Sequence, residues 1–322
     1  MTAMKNKEYS NREEKLKVGI LYDKKGVEPW DISYFKGEFE RRNIDVVLFD
    51  ANKISNNYSS IQSPEEVSIP EIESLVDKGY LIWMNRIYPS EASESVINKG
   101  LNVVSWLSAR NYKTINPLTA CAADYDKFYA FQLMKKYAVP TPRTEKITEE
   151  KGIDYFVSEF SFPLIIKRNT GGKGIGVQKV DNKSGLEQVL KDKEMTSGKY
   201  LIQEFVKPNK KHDIRVGVID GKPLISYGRT LVAKDGGEEF WMGSCNHGSK
   251  IIPYQATEEE CNLAVLASKA IGANLNEVDI QITENGPIVI ENNPTPGYDE
   301  GEENWVKLIV SHIVNSYQEK NV

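Results

Sequence analysis

The chain has 322 residues, of which 40% are hydrophobic and 27% charged, and its formal net charge is −5. This composition is typical of a globular protein with two or three packed lobes. The mild acidity argues against nucleic-acid binding, and no apolar run approaches the roughly 20 residues that a membrane span needs. Three widely spaced cysteines predict no disulfide framework. We therefore expect a cytoplasmic protein that contacts neither nucleic acid nor membrane.

The first part of the chain is predicted to be an α/β domain over residues 16–118. Residues 1–15 are polar, which predicts a mobile N-terminus. A helical spacing of apolar residues around position 35 lies among four apolar runs that predict strands, namely "LKVGILYD", "IDVVLFD", "GYLIWMNRIYP" and "LNVVSW". Strands that alternate with helical segments favour an open parallel sheet.

Residues 119–200 are predicted to form a central lobe. Asp124 is expected to cap a helix that ends before Pro140. A strand over Leu164–Lys167, a glycine-rich loop and a second strand over Val177–Val180 follow. "KSGLEQVLKD" then predicts a helix, and "KYLIQEFV" predicts a strand.

Residues 201–322 are predicted to form a C-terminal lobe built on antiparallel hairpins. One hairpin turns at Asp220–Gly221 and another at Asn285–Gly286, since both pairs are typical of tight turns between strands. Thr257 and Glu260 have the spacing of a capping box at the start of a helix. The second part of the molecule is therefore expected to be α+β.

The glycine-rich stretch "FPLIIKRNTGGKGIGVQKV" has the composition of a phosphate-binding loop. A Walker loop is excluded because Lys173 is followed by Gly174 and no helix begins there. A dinucleotide fingerprint is excluded because the glycines lie between two predicted strands. The remaining alternatives are a mobile flap whose backbone N–H groups face phosphate oxygens, and an ordinary glycine-rich hairpin loop.

Three oxygen-bearing side chains predict a metal site on the last hairpin. Glu291 and Asn293 are two residues apart, so they lie on one face of a strand, and the turn at Asn285–Gly286 brings Asp279 nearly opposite Glu291. Two carboxylates and an amide oxygen suit magnesium better than zinc. The alternative is a solvated acidic surface, which the apolar flanking residues disfavour.

At these residues the sequence resembles the ATP-grasp superfamily, and within it the RimK-like carboxylate–amine ligases. "IIKRNTGGKGIGV", "LIQEFV", "DIRVGVID", "EVDI" and "IENNPTPG" occur in the family's order and spacing. The resemblance covers roughly residues 16–317. It implies an α/β domain with a parallel sheet, followed by two α+β ATP-grasp lobes with antiparallel sheets.

The resemblance also implies roles for individual residues. It implies that Arg215 and Arg229 are catalytic and that Asp279, Glu291 and Asn293 bind the metal. It implies nucleotide contacts at Lys127, Lys167, Gly172, Gly174, Gly176, Glu204, Phe205, Val206, Asp213 and Asn246. The alternative for the two lysines is a position on the protein surface, and for residues 204–206 it is an ordinary edge strand. For Asp213 and Arg215 it is an Asp–Arg pair on the surface.

One segment departs from the family's pattern. Where the family has an asparagine-containing run followed by Arg-Gly-Gly, this chain has "FWMGSCNHGSK". Asn246 takes the asparagine's place, with a shift of one or two residues left open. His247 stands where an arginine is expected, and a hydrogen-bonded loop histidine is the alternative to a catalytic one.

The resemblance implies an ATP-dependent ligase that forms an amide through an acyl phosphate and releases ADP and phosphate. ATP and magnesium are the expected cofactors, with manganese as the alternative ion. The expected partners are a small-molecule or peptide carboxylate and an amine acceptor such as an amino acid, either glutamate or another one, and a homo-oligomer is expected. The alternatives are a nucleotide-binding regulatory module without turnover, and another ATP-grasp chemistry such as that of a carboxylase or kinase.

Overall fold

The computed structural model describes residues 15–24, 29–233, 240–244, 247–298 and 302–318. The predicted mobile N-terminus lies outside these ranges except for Lys15, and Asn246 also lies outside them. Among the described helices, none combines the length and the apolar character that crossing a membrane requires.

The first lobe contains a four-stranded sheet in the order β2-β1-β3-β4, and all of its pairings are parallel. This confirms the predicted parallel α/β sheet. Its strands are β1 Lys17–Tyr22, β2 Asp45–Asp50, β3 Ile82–Arg86 and β4 Lys113–Ile115. Its helices are α1 Trp30–Glu40, α2 Pro70–Val76 and α3 Glu94–Ala109, and a short 3₁₀ helix spans Ala51–Lys53.

The predicted strand at "LNVVSW" is wrong, because this segment is the middle of α3. The Ser93 side chain caps that helix by accepting a hydrogen bond from the backbone N–H of Val96. Residues 101–107 of the helix are buried. A helix that is buried on most sides has no polar face, so its apolar run cannot be distinguished from a buried strand by periodicity.

The central lobe contains an antiparallel sheet in the order β5-β8-β6-β7. Its strands are β5 Thr144–Thr148, β6 Leu164–Arg168, β7 Gln178–Val180 and β8 Ser197–Glu204. Helices α4 Leu118–Tyr125 and α5 Lys127–Lys136 precede it, and α6 Ile153–Glu159 and α7 Lys183–Leu190 lie within it.

The predicted helix cap at Asp124 is wrong. Asp126 caps α5 instead, because its side chain accepts a hydrogen bond from the backbone N–H of Tyr129. Asp124 lies in the last turn of the preceding helix, α4. Two short helices meet at this point, and aspartate is a preferred N-cap residue at either position. Spacing alone therefore could not choose between Asp124 and Asp126.

The C-terminal lobe contains a five-stranded antiparallel sheet in the order β13-β10-β9-β14-β15, and β11 and β12 pair separately. The Thr257–Glu260 capping box is present at the start of α8 Glu258–Ala270. The strands are β9 His212–Ile219, β10 Lys222–Thr230, β11 Val232–Ala233, β12 Phe240–Met242, β13 Ile251–Pro253, β14 Leu275–Thr283 and β15 Gly286–Asn293.

The last helix, α9 Glu303–Gln318, packs against the first lobe. Trp305 and Val306 share one buried core with Ile20 and Phe35 of the parallel sheet and α1. The chain therefore returns to its first lobe at its C-terminal end. The predicted domain boundaries remain predictions.

Candidate active site at the junction of three lobes

The hairpin of β14 and β15 brings the two predicted metal carboxylates together. Asp279 is the direct cross-strand partner of Glu291, as the sequence predicted. The turn itself lies one residue earlier than predicted, at Glu284–Asn285, because Thr283 pairs with Gly286. An irregularity after Asp279 shifts the register by one residue and restores the predicted pairing.

Two arginines hold Asp279 in its ionised form. Arg215 donates from Nε to Oδ1 at 2.6 Å and from Nη2 to Oδ2 at 3.0 Å, and Arg229 donates from Nη2 to Oδ2 at 2.9 Å. Burial by itself would raise the pKa of Asp279, but the two guanidinium groups outweigh it and lower the pKa to about 2. Asp279 therefore carries a negative charge at any physiological pH.

Two further carboxylates complete this buried charge network. Arg229 also binds Asp213 through Nε and Nη2, at 3.0 and 2.8 Å. Arg215 donates to Glu277 Oε2 at 3.0 Å, and Glu277 is buried. Each arginine thus joins two carboxylates, and fixed pairing of this kind orients both guanidinium groups before any substrate binds.

Two lysines lie next to Glu291. The Nζ atom of Lys127 is 3.2 Å from Glu291 Oε1. Lys167 is buried, with its Nζ atom 4.9 Å from the centre of the Phe131 ring. Burial lowers the pKa of Lys167 to about 8, although Glu291 and Asp279 act in the opposite direction.

The glycine-rich loop between β6 and β7 closes over these groups. Lys127 Nζ donates a hydrogen bond to the backbone carbonyl of Gly171. Gly174 and Gly176 have φ values of 71° and 75°, which glycine adopts without strain. The loop tip reaches two other lobes, because Lys173 Nζ lies 2.7 Å from Glu91 Oε1 and its carbonyl accepts from Ser244 Oγ at 3.1 Å.

Beneath the loop is a cavity of about 160 Å³, which we call the flap cavity. One side is apolar: the rings of Phe205 and Trp241 meet edge to face at 6.1 Å between centroids. The other side carries the charged groups described above. The predicted site residues include about half of the lining but lack, among others, Ile165, Trp241, Met242 and Ile290. Strand periodicity could have found Ile165, which lies two residues before Lys167 on the same face.

A second cavity, of about 390 Å³, lies between the first lobe and the C-terminal sheet, and we call it the interlobe cavity. Its aromatic wall is formed by Trp30, Tyr88 and Tyr298. Arg215 and Asn293 line this cavity rather than the flap cavity. The two cavities meet at a shared border that includes Lys127, Gly172, Gly174, Arg229, Asp279 and Glu291.

Most of the predicted site residues thus converge on these two cavities. Gly176 lines neither of them; it lies beside the side chain of Arg168. His247 bonds Ser244 Oγ through Nδ1 at 3.1 Å, as a hydrogen-bonded loop histidine would. The flap cavity includes Lys127, Lys167, Gly172, Gly174, Glu204, Phe205, Val206, Asp213, Arg229, Asp279 and Glu291.

Asp279 and Glu291 at the shared border, with Asn293 in the adjoining interlobe cavity, carry donor atoms that fit a hard cation with further oxygen ligands. Asp279 and Glu291 supply carboxylate oxygens, and Asn293 donates through Nδ2 to Glu277 O at 3.1 Å, which leaves its amide oxygen as an acceptor. Within the described residues, no group of three or more His, Cys, Asp and Glu side chains is placed to hold a metal. A metal here would therefore depend on the asparagine oxygen and on phosphate oxygens.

The fold has solved counterparts. A RimK-domain ATP-grasp protein from Sphaerobacter thermophilus superposes with a TM-score of 0.61 at 14% identity, over 92% of this chain and 100% of that one. The ATP-grasp ligase PsnB, solved with a variant of its minimal precursor, Mg and ADP, gives 0.63 at 14% identity, over 92% and 97%. These similarities show that the chain has the ATP-grasp fold.

The sequence comparisons identify the family. The model of the RimK-like ATP-grasp domain matches residues 124–316. The probable alpha-L-glutamate ligase of Hydrogenovibrio crunogenus is 32% identical over 287 residues, which is 88% of this chain and 89% of that protein. The chain therefore belongs to the RimK-like ATP-grasp family, and it is an ATP-grasp carboxylate–amine ligase.

Proposed function

We propose that this enzyme activates a carboxylate as an acyl phosphate, joins it to an amine, and releases ADP and phosphate. The observation that carries the proposal is the shared border of the two cavities at Lys127, Asp279 and Glu291. A phosphoryl group at that border would have the nucleotide on one side and the acceptor carboxylate on the other. Phosphoryl transfer requires this facing arrangement.

The flap cavity suits a nucleotide. Phe205 and Val206 would line the adenine, while Lys127 and Lys167 would contact the phosphates as cations. The glycine loop would cover the phosphates and exclude water, which an acyl phosphate requires because water hydrolyses it. Gly172 and Gly174 face both cavities, so one loop can protect both halves of the reaction.

Asp279, Glu291 and Asn293 would hold magnesium, with manganese as the alternative ion. Their oxygens form a hard donor set, and Asp279 stays ionised because Arg215 and Arg229 bind it. A magnesium ion at this site would neutralise the charge of the transferring phosphoryl group. In support, the PsnB structure is one of a ligase with Mg and ADP.

Arg215 and Arg229 would stabilise the charge that develops as the phosphoryl group moves. Both guanidinium groups are held in place by buried carboxylates, so they need no rearrangement during the reaction. Arg215 lines the interlobe cavity, which is the side from which the acceptor carboxylate would approach.

Glutamate is the amine we propose for the reaction, and the carboxylate would be that of a peptide, a protein tail or a small acid. The support is that two relatives, 33% and 32% identical over the aligned residues, are named probable alpha-L-glutamate ligases. A homo-oligomer remains a prediction. The interlobe cavity volume is within the range of about 300–1,000 Å³ that is usual for small-molecule sites.

The test is an assay of ADP release with magnesium, L-glutamate and a synthetic peptide that ends in glutamate. ADP release should require both the carboxylate and the amine. Glu291→Gln should reduce turnover by at least about 100-fold, because one charged ligand of the metal is lost. Glu284→Gln is the matched control, since Glu284 lies exposed at the turn of the same hairpin. Equal activity of the two variants would contradict the proposed metal site.

A further inference from the structure

The interlobe cavity contains a buried carboxyl group that the proposed function has not used. Asp124 lines the cavity from the last turn of α4 and is 9% exposed. Its Oδ2 atom is buried and has no hydrogen-bond partner among the described residues. A buried polar atom without a partner is costly, so such an atom beside a cavity indicates a ligand that supplies the missing contact.

The other acidic groups at the inner end of this cavity already have cationic partners. Asp279 is bound by two arginines, and Glu291 faces Lys127. Asp31 is bound by Arg86, whose Nη2 lies 2.6 Å from Asp31 Oδ2. Asp124 has no such ion pair among the described residues, so it is the carboxyl group here that is available to a cationic substrate group.

The surroundings of Asp124 bring the pKa of its carboxyl group close to neutral pH. Burial raises the pKa of Asp124 to about 7. The Thr295 side chain, Lys127 and Arg86 favour the ionised form, and Glu291 opposes it. On the same helix, burial raises the pKa values of Cys121 and Tyr125 and the charge of Asp124 adds to both shifts, so both of these groups stay neutral.

From the cavity, the unpartnered oxygen and the pairing of the neighbouring charges, we infer that Asp124 binds the ammonium group of the amine substrate and accepts a proton from it. This inference rests on the proposed function, because it assigns the nucleophile of that reaction to the interlobe cavity. It makes Asp124 a catalytic residue in contact with substrate. It also explains why a carboxyl group is buried beside the aromatic wall of Trp30, Tyr88 and Tyr298.

The ammonium group must lose a proton before its nitrogen can attack the acyl carbon. An N–H bond of the ammonium group breaks, and its proton moves to the Asp124 carboxylate. The nitrogen lone pair then forms a bond to the acyl carbon, and the C–O bond to phosphate breaks with its electron pair on phosphate. The second proton of the nitrogen leaves with the phosphate, and Asp124 later releases its proton to water. The net products are the amide, hydrogen phosphate and one proton.

Hydroxylamine separates this step from carboxylate activation. It is neutral at assay pH and attacks an acyl phosphate without needing a proton acceptor. Wild-type protein, Asp124→Asn and the control Asp154→Asn would each be given ATP, magnesium and the glutamate-ended peptide, with either L-glutamate or hydroxylamine. Asp154 is a suitable control because its side chain is 93% exposed. Thermal unfolding of each variant would be recorded alongside.

We expect Asp124→Asn to lose amide formation with L-glutamate by about 100-fold or more while keeping hydroxamate formation within about threefold. The KM for L-glutamate should rise as well. In the wild type, the amide-forming rate should increase as pH rises through about 7, because only the ionised carboxylate accepts a proton; the rate with hydroxylamine should lack this dependence.

A second variant tests the same role without removing the carboxyl group. Thr295→Val removes a group that favours the ionised form of Asp124, so the midpoint of the wild-type pH profile should move upward. If Asp124→Asn keeps amide formation, or loses hydroxamate and amide equally, the role of Asp124 is overturned. If the wild type forms neither product, the proposed function itself fails, and the role of Asp124 fails with it.

Discussion

The two antiparallel sheets that enclose the site differ in where they place charge. The C-terminal sheet carries charged residues within its strands, where Arg215 joins the buried carboxylates Glu277 and Asp279 in one bonded network. The central sheet contributes its charged residues at strand ends, with Lys167 and Arg168 next to the glycine loop. One sheet is therefore a rigid charged wall, and the other presents a covering loop.

This difference fits the two demands of phosphoryl transfer. Charge stabilisation works best when the charged groups are oriented before the reaction, and a network of buried ion pairs achieves this. Exclusion of water requires a part that opens and closes, which a glycine-rich loop between two strands can do. Changes in the C-terminal sheet should therefore affect both stability and chemistry, whereas changes in the loop should affect substrate binding and turnover alone.

The largest effect is expected from Arg215→Ala. This change leaves Glu277 and Asp279 buried without the cation that joins them, so the free energy of unfolding should fall by about 3–5 kcal/mol. Turnover should fall by at least about 100-fold. Urea unfolding and an ADP-release assay would measure the two effects. Arg215→Lys should be intermediate, and an alanine variant with full stability would contradict the rigid-wall interpretation.

The next effect is expected from Gly174→Ala in the loop. The new Cβ atom would lie 2.9 Å from Ser244 Oγ, and the φ of 71° is unfavourable for alanine. Turnover should fall by about tenfold, with little change in the free energy of unfolding. Kinetics and urea unfolding of the double variant with Ser244→Ala would separate contact from backbone strain. We expect the double variant to recover part of the lost turnover. A large fall in the free energy of unfolding alongside the fall in turnover would contradict a covering role that is separate from stability.

A smaller effect is expected from pH. Burial gives Lys167 a pKa of about 8, so its ammonium group is charged below that pH and neutral above it. The affinity for ATP should therefore decrease as pH rises through about 8, because the neutral amine no longer attracts phosphate. Calorimetric titrations with ATP across this range would measure it. Lys167→Arg should abolish the dependence, since a guanidinium group stays charged.

The smallest effect is expected at the ion pair between Lys173 and Glu91. Both side chains are about half exposed, so solvent screens their attraction and the pair should contribute less than about 1 kcal/mol. Glu91→Gln should raise the KM for ATP by about twofold or less, and the difference should vanish at high salt. The double charge reversal, Glu91→Lys with Lys173→Glu, should restore the wild-type KM. A tenfold change in the KM for ATP would show that this ion pair holds the loop tip more strongly than expected for half-exposed side chains.

Local pattern was sufficient for the features that depend on neighbouring residues. The capping box at Thr257 followed from spacing alone. The pairing of Asp279 with Glu291 was also predicted from strand periodicity and a turn signal, although the turn lies one residue earlier and a register shift after Asp279 restores the pairing. The same reasoning failed for α3, whose middle is buried and has no polar face. It also chose Asp124 as a helix cap, whereas the structure places this residue in the interlobe cavity.

The amino-acid sequence by itself determined the class of fold, the glycine loop and the lysine and carboxylate groups around it. These features are encoded in short segments whose spacing reflects strand and helix geometry. Only the tertiary structure decided which charges neutralise one another and which remain available. Arg86, Asp124 and Thr295 come from three separate parts of the chain, and their mutual effect depends on burial that no local pattern records. A carboxyl group's pKa and its availability to a substrate are properties of the packed environment rather than of the residue.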